Sequence, residues 1–191
     1  MVNYPDTDTI TQEEFIKMIF SHKTITTGRS YRCYFDGAIS VNPGGAIGAG
    51  VYIEEDRNLV NISSLAKNHQ ACVYIEEDRK GDAIFSRVYE PPHPDNTCNV
   101  GEYIAFMRVL ELMTDKRDCK IEIFGDSKLV VNQMTGYWDI KEGFYKCYAE
   151  KSSRLLKDIR RNNKVSIRWI RREFNTIADE QSKNAIKEQT R

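Results

Sequence analysis

Four acidic residues stand where the chain is predicted to pass between regular elements: Asp36 after a first strand, Glu102 in a first core helix, Asp126 at the end of the strand in IEIFGDS, and Asp179 opening a last helix. Carboxylates gathered in this way suit a hard divalent cation such as Mg2+, which takes few protein oxygens and keeps its other positions for water and phosphate. Two such ions, about 4 Å apart, clamp the attacking water and the leaving oxygen of an in-line phosphoryl displacement. Without metal, carboxylates so placed repel one another, which makes the cation part of the site. Each acid also has a plain structural reading. Asp36-Gly37 is a common turn pair, Glu102 suits the positive end of a helix, Asp126-Ser127 suits an N-cap, and Asp179 suits a first helical turn. Singly, the structural reading is the stronger in every case; only the set of four points to metal-assisted chemistry.

The elements that must position these acids follow from local pattern. Tyr31 to Phe35 and Gly50 to Ile53 read as strands separated by the turn Asn42-Pro43-Gly44-Gly45. A third strand spans 83–90 and ends at Pro91-Pro92-His93-Pro94, because proline cannot donate to a ladder. The spacing of Tyr103, Phe106, Met107, Leu110 and Met113 predicts a helix over 100–113. Then come a strand from Ile121 to Phe124, a helix opening at Ser127, a helix over about 144–161, a strand from Val165 to Ile170 and a helix over about 175–187. A three-strand antiparallel meander followed by alternating helices and strands implies an α/β fold, a mixed five-stranded sheet with helices on its faces. Residues 1–28 are a polar lead-in. Within it, Thr11 as N-cap and Glu14 reaching back predict a short amphipathic helix through Phe20 with a packing role.

One segment occurs twice: VYIEEDR spans 51–57 and again 73–79, an offset of 22 residues. Two copies are too few for a solenoid, so the reading is a tandem duplication that lengthens the region between strands two and three. The insertion lies around 51–80, and residues 56–72 are expected to form a surface excursion or an added edge strand.

Composition sets the outer bounds. At 191 residues the chain fits one ordinary domain, 29–191, behind the lead-in. No apolar run approaches the roughly 20 residues of a membrane helix. The start MVNYPDTDTI lacks the basic and apolar regions of a secretory signal. The five cysteines, at 33, 72, 98, 119 and 147, show no ligand or CxxC spacing, so they are read as reduced and the compartment as cytoplasmic, and a monomer is expected separately. Net charge is zero, yet residues 1–102 carry −6 and residues 103–191 carry +6. The second half is therefore able to face phosphates, although a mixed solvated surface explains the asymmetry equally well.

Taken in order, Phe35-Asp36-Gly37-Ala38 with Asn42-Pro43-Gly44-Gly45, Asn99-Val100-Gly101-Glu102-Tyr103, Gly125-Asp126-Ser127 and Arg172-Glu173-Phe174-Asn175-Thr176-Ile177-Ala178-Asp179 resemble type 1 ribonucleases H across roughly residues 31–187. The resemblance implies a ribonuclease H-like fold and metal-dependent cleavage of the RNA strand of RNA–DNA hybrids. It places two Mg2+ ions, with Mn2+ an alternative, on Asp36, Glu102, Asp126 and Asp179. Asp36 and Glu102 are 66 residues apart, longer than the family pattern, but 44 once the 22-residue offset is removed. The segment Arg171-Arg172-Glu173-Phe174 carries no histidine, unlike the loop of many bacterial members, and resembles the archaeal or plant-like branch. His22, His69 and His93 are expected to have surface roles.

The same resemblance implies substrate contacts at Gly37 and Ala38, whose backbone meets ribose 2′-hydroxyls, at Asn99 near the cut, and at Ser127 and Trp138 on the DNA strand. Trp138 as a packing residue and Asn99 as an N-cap remain open. The predicted helix near 144–161 turns Tyr148, Leu155, Leu156 and Ile159 inward and Lys146, Lys151, Arg154, Lys157, Arg160 and Arg161 largely outward, toward solvent or phosphates. Another nuclease of the same fold and a non-catalytic hybrid-binding domain are the alternatives.

Overall fold

The computed structural model describes residues 29–56 and 83–189. Five strands form one sheet in the order β3-β2-β1-β4-β5, with β1 Ser30–Ile39, β2 Ile47–Asp56, β3 Ala83–Glu90, β4 Lys120–Gly125 and β5 Lys164–Trp169. The pairs β1·β2 and β2·β3 are antiparallel, and β1·β4 and β4·β5 are parallel, so the sheet is mixed as the element pattern implied. Four helices complete the described chain: α1 Cys98–Met113, α2 Lys128–Met134, α3 Lys146–Arg160 and α4 Thr176–Gln189. A single 3-10 turn, Arg172–Phe174, precedes α4 and has no counterpart in the sequence-based expectation. The expected lead-in helix, the second VYIEEDR copy and most of the insertion lie outside the described residues.

Strand alternation builds the core. Tyr31, Cys33 and Phe35 of β1, Ile47, Ala49, Val51 and Ile53 of β2, and Ile121 and Ile123 of β4 are all fully buried. They meet the apolar stripe of α1, where Tyr103, Phe106, Leu110 and Met113 are equally buried and the Phe35 and Phe106 rings meet edge to face at 5.2 Å. In α3 the buried side is Ala149, Ser152, Leu156 and Ile159; Tyr148 and Leu155 are half-buried against it. Lys151, Arg154, Lys157, Arg160 and Arg161 are exposed as expected, while Lys146 is half-buried. The cap of α1 is Thr97, whose Oγ1 accepts from the Val100 N–H at 3.3 Å, so Asn99 is not the N-cap. Among the described residues the four cysteines are unpaired, Cys33 and Cys119 buried, Cys98 and Cys147 exposed.

The other face of the sheet receives α4, and the contact is backbone to backbone. A Cβ on Gly50 would stand 2.3 Å from the Ala178 carbonyl oxygen and from the Ser182 nitrogen; one on Gly48 would stand 2.0 Å from the Ser182 oxygen. Only glycine admits α4 at that distance. This decides which copy of VYIEEDR is β2. The copy at 51–57 follows Gly48 and Gly50, whereas the matching positions before the second copy are Gln70 and Cys72, whose side chains would strike the α4 backbone.

Removing 22 residues, 51–72, yields the same polypeptide as removing 58–79, and both glycines stay in front of the surviving copy. Because Glu54 pairs with Ala83, the surviving Glu76 would take that register with a six-residue connection, 77–82. We expect this deletion to keep the fold and its melting temperature. Gly50→Cys, which copies the residue preceding the second repeat, should lower stability by about 1–3 kcal/mol or more in a denaturant titration. An unfolded deletion product together with a stable Gly50→Cys protein would contradict the assignment.

Candidate active site

Asp36 lies within β1 and does not follow it, as the sequence suggested. The parallel ladder to β4 stops at Phe35 paired with Gly125, while the antiparallel ladder to β2 continues to Ile39 paired with Ile47. The strand therefore runs on past the end of β4, and Asp36 is its first residue beyond that pairing. Asp126 follows the last residue of β4, and Ser127 caps α2 by accepting from the Val130 N–H at 3.5 Å. Glu102 is the fifth residue of α1. The close approach of α1 to β1 is again made by a glycine. A Cβ on Gly37 would lie 2.3 Å from the Glu102 nitrogen, and the Gly37 N–H donates to the Glu102 carboxylate.

These elements bring three of the four expected acids together. One carboxylate oxygen each from Asp36, Glu102 and Asp126 lies within 4.8 Å of the other two. Burial, the Asp126 and Asp179 charges, and a counteracting hydrogen bond from Ser182 leave the Asp36 carboxyl pushed up to about 6. Burial first, then Asp36 and Asp126, push Glu102 well above the ordinary carboxylate range. Glu102 Oε2 is buried without a hydrogen-bond partner. Three converging carboxylates, one of them with an oxygen that no donor reaches, are the chemistry of a cation site, so the residues present fit a divalent metal.

The fourth acid is held apart. Asp179, in the first turn of α4, pairs through Oδ1 with Arg172 at 2.6 Å and through Oδ2 with Lys183. Burial alone would raise its pKa, but the hydrogen bonds and charges of Lys183 and Arg172 outweigh it and hold the carboxyl below its usual range. Arg172 also feels the charges of Asp36 and Asp126, and it is the cationic side chain beside the cluster.

The positioning groups around the acids escaped the sequence reading. Buried Asn175 donates through Nδ2 to the Phe35 carbonyl at 2.9 Å and to Asp126 Oδ1 at 3.0 Å. Ser182 Oγ lies 2.6 Å from Asp36 Oδ2 and 2.8 Å from the Asp179 carbonyl oxygen. A hydroxyl has one proton, so Ser182 donates to an ionised Asp36 and turns to the carbonyl when Asp36 is protonated. Helical spacing contained a usable signal, since Ser182 and Lys183 stand three and four residues after Asp179 and share its face. Nothing local marked Asn175 as the link between β1 and β4.

Of the residues expected to touch substrate, Gly37 directly follows Asp36 and Ser127 directly follows Asp126. Gly37 and Ala38 are half-buried, Asn99 is exposed in the first turn of α1, and Trp138 is 50% exposed after α2 beside Tyr137. The segment carrying Trp138 is tied to α1 by buried polar contacts. The Tyr103 hydroxyl donates to Gln133 Oε1 at 2.5 Å, and Gln133 Nε2 donates to the Asp139 carbonyl at 2.8 Å. Tyr103 also stacks on Tyr145 with ring centroids 5.5 Å apart. His93 pairs with Asp95 on an exposed turn, and no histidine lies in 170–178.

Comparison with known proteins agrees with this geometry. The sequence model described as "Reverse transcriptase-like" matches residues 61–185, a stretch that contains Glu102, Asp126 and Asp179. A curated relative, ribonuclease HI of Halobacterium salinarum, is 30% identical over 115 residues, 60% of this chain and 45% of that protein. The chain thus aligns with less than half of that relative's length. LC11-RNase H1, solved in complex with an RNA/DNA hybrid, superposes with a TM-score of 0.62 at 27% identity, covering 84% of this chain and 99% of that one. The crystal structure of RNase H1 from Halobacterium salinarum shares the fold, with a TM-score of 0.59 at 24% identity over 83% of this chain and 98% of the other. By family model, sequence and fold together, the chain belongs to the reverse transcriptase-like family and is a ribonuclease HI-like protein.

Proposed function

We propose that the chain is an endoribonuclease that hydrolyses the RNA strand of RNA–DNA hybrids with two divalent cations, Mg2+ by preference and Mn2+ as a substitute. The single observation that carries this reading is the carboxylate cluster of Asp36, Glu102 and Asp126 with its unpartnered Glu102 oxygen. The hybrid bound to LC11-RNase H1 supports the substrate class. Residues 29–191 constitute the nuclease domain and 1–28 its lead-in. A cytoplasmic compartment fits the scattered cysteines, the chain is taken as a monomer, and among the described residues no helix is long and apolar enough to cross a membrane.

Asp36, Glu102 and Asp126 would hold the cations, and Asp179 joins them from the rim. When bound, the metals activate the attacking water and neutralise charge on the scissile phosphate. The chain's own residues set the geometry for that step. Ser182 orients Asp36, the Gly37 N–H orients Glu102, and Asn175 orients Asp126. Arg172 supplies positive charge beside the site in a segment that lacks histidine. The backbone of Gly37 and Ala38 reads ribose 2′-hydroxyls, Asn99 and Ser127 hold the strands near the cut, and Trp138 packs against the DNA strand. The exposed basic side of α3 guides phosphates, which makes binding salt-dependent.

Incubation with labelled hybrid, double-stranded RNA and double-stranded DNA tests the reading. We expect cleavage of hybrid alone, in Mg2+ or Mn2+, with 5′-phosphate and 3′-hydroxyl ends. Activity that survives a chelator would rule out the metal mechanism, and hybrid binding without cleavage in any metal would leave a binding domain.

Asp126→Asn keeps size and hydrogen-bonding capacity but removes a charge. It should lower the cleavage rate by at least about two orders of magnitude, as expected when a transition-state electrostatic contact is lost, while hybrid binding in Ca2+ is retained. A variant that cuts at the wild-type rate would reduce Asp126 to a structural residue.

The raised Asp36 carboxyl also predicts how metal-free stability depends on pH. A group whose folded pKa of about 6 exceeds an ordinary value near 3.8 binds its proton more tightly in the native state, so the contribution of Asp36 to stability is fully present below about pH 4 and is lost as pH rises through about 6. At about 1.4 kcal/mol per pH unit, the site contributes a loss of about 3 kcal/mol across that window. We expect the loss to appear in chelator, to shrink in Asp36→Asn, and to disappear in saturating Mg2+. A Tm-versus-pH profile identical for wild type and Asp36→Asn would show that Asp36 titrates normally.

A further inference from the structure

Asp126 stands outside the β-ladder, yet the segment from the end of β5 to the start of α4 grips it at several points. The Ile170 N–H donates to the Gly125 carbonyl at 3.0 Å, continuing the strand pairing by one bond. Asn175 Nδ2 holds the Asp126 carboxylate. Between them, Trp169 Nε1 donates to the backbone carbonyl of Asp126 at 3.0 Å. One side chain thus fixes the acid's oxygen and another fixes the peptide that carries it.

Trp169 is the last residue of edge strand β5 and remains 42% exposed. Strand formation alone would be served by phenylalanine or tyrosine, but neither has a ring N–H on that edge. The ring has a second partner: Lys128 Nζ lies 5.0 Å from its centroid. Lys128 is exposed in the first turn of α2, the helix end where a cation is unfavourable, and that turn contains no acidic residue. The indole therefore bridges the residues on either side of the Ser127 cap, Asp126 through a hydrogen bond and Lys128 through its face. It spans the short turn that joins β4 to α2.

We propose that Trp169 is a positioning residue for Asp126, holding the β4–α2 turn so that the carboxylate stands within reach of Asp36 and Glu102. The proposal rests on the reading of Asp126 as a metal-holding acid. Loss of the indole N–H leaves the Asp126 carbonyl to water, so the fold survives while the carboxylate gains freedom. Small displacements of that kind act on the chemical step more than on binding.

Trp169→Phe keeps the ring over Lys128 and removes only the donor. In this variant kcat should fall about 10- to 100-fold, the range a displacement of about 1 Å produces. KM for hybrid should stay within about twofold, the half-saturating Mg2+ concentration should rise several-fold, and the melting temperature should hardly move. An independent readout comes from the metal alone. The chain has two tryptophans, so a 15N–1H spectrum has two indole resonances, assigned with Trp138→Phe. Adding Mg2+ should shift the Trp169 resonance, leave that of Trp138 in place, and have no effect on Trp169 in Asp126→Asn. Unchanged kcat and Mg2+ dependence in Trp169→Phe, or a Trp169 resonance indifferent to Mg2+, would overturn the positioning role. If Asp126→Asn itself stayed active, the metal reading would fail first, so the two failures are distinguishable.

Discussion

Three carboxylates with oxygens within 4.8 Å of one another, Asp36 and Glu102 among them desolvated, are the constraint on which the rest of the structure depends. Like charges at that distance push each other toward protonation, and burial adds to the effect. A chain gains nothing in stability from such a cluster, so other parts of the fold must hold it together. That task falls to the core formed by β1, β2, β4 and α1, whose large side chains are fully buried. The apolar framework offsets the repulsion, and the acids stay where a divalent cation makes use of them.

Geometry at the cluster depends on backbones that approach without side chains between them. Gly37 lets α1 sit against β1, so that Glu102 reaches the end of the sheet and takes the Gly37 N–H as a donor. Gly48 and Gly50 do the same for α4, which brings Ser182 to Asp36. Because β4 ends at Gly125 while β1 continues along β2, Asp36 is the first residue of β1 that has no parallel neighbour. Parallel sheets present ligands at the carboxyl ends of their strands, and the cluster stands where the β1·β4 pairing ends.

Charge is distributed unevenly among the acids. Asp36 and Glu102 are pushed up by burial, whereas Asp179 is held down by Arg172 and Lys183. The segment 169–175 controls both sets, since Arg172 faces Asp179 while Trp169 and Asn175 hold Asp126. A connection that starts from the last residue of β5 and contains no α-helix therefore links the two sides of the site.

The sequence by itself determined the order of strands and helices and the mixed sheet, because hydrophobic period and the residues at element ends are local properties; it offered four acids as a set, and the tertiary structure gathers three of them. It misplaced Asp36 relative to the end of β1, since a strand stops where its neighbours stop, and that is a property of the pairing. Asn99 as a cap gave way to Thr97, two positions earlier, a difference within the ordinary uncertainty of helix ends. The sequence read Gly50 to Ile53, at the first copy of VYIEEDR, as the second strand, but the physical reason lies in the α4 backbone, over 120 residues later in the chain, which tolerates only glycine at positions 48 and 50 ahead of the repeat. The pinning of Asp179 and the grip of Asn175 and Trp169 on Asp126 likewise belong to the tertiary structure. They join side chains from segments far apart in sequence, and neither composition nor periodicity carries information about which distant carbonyl an indole N–H will find.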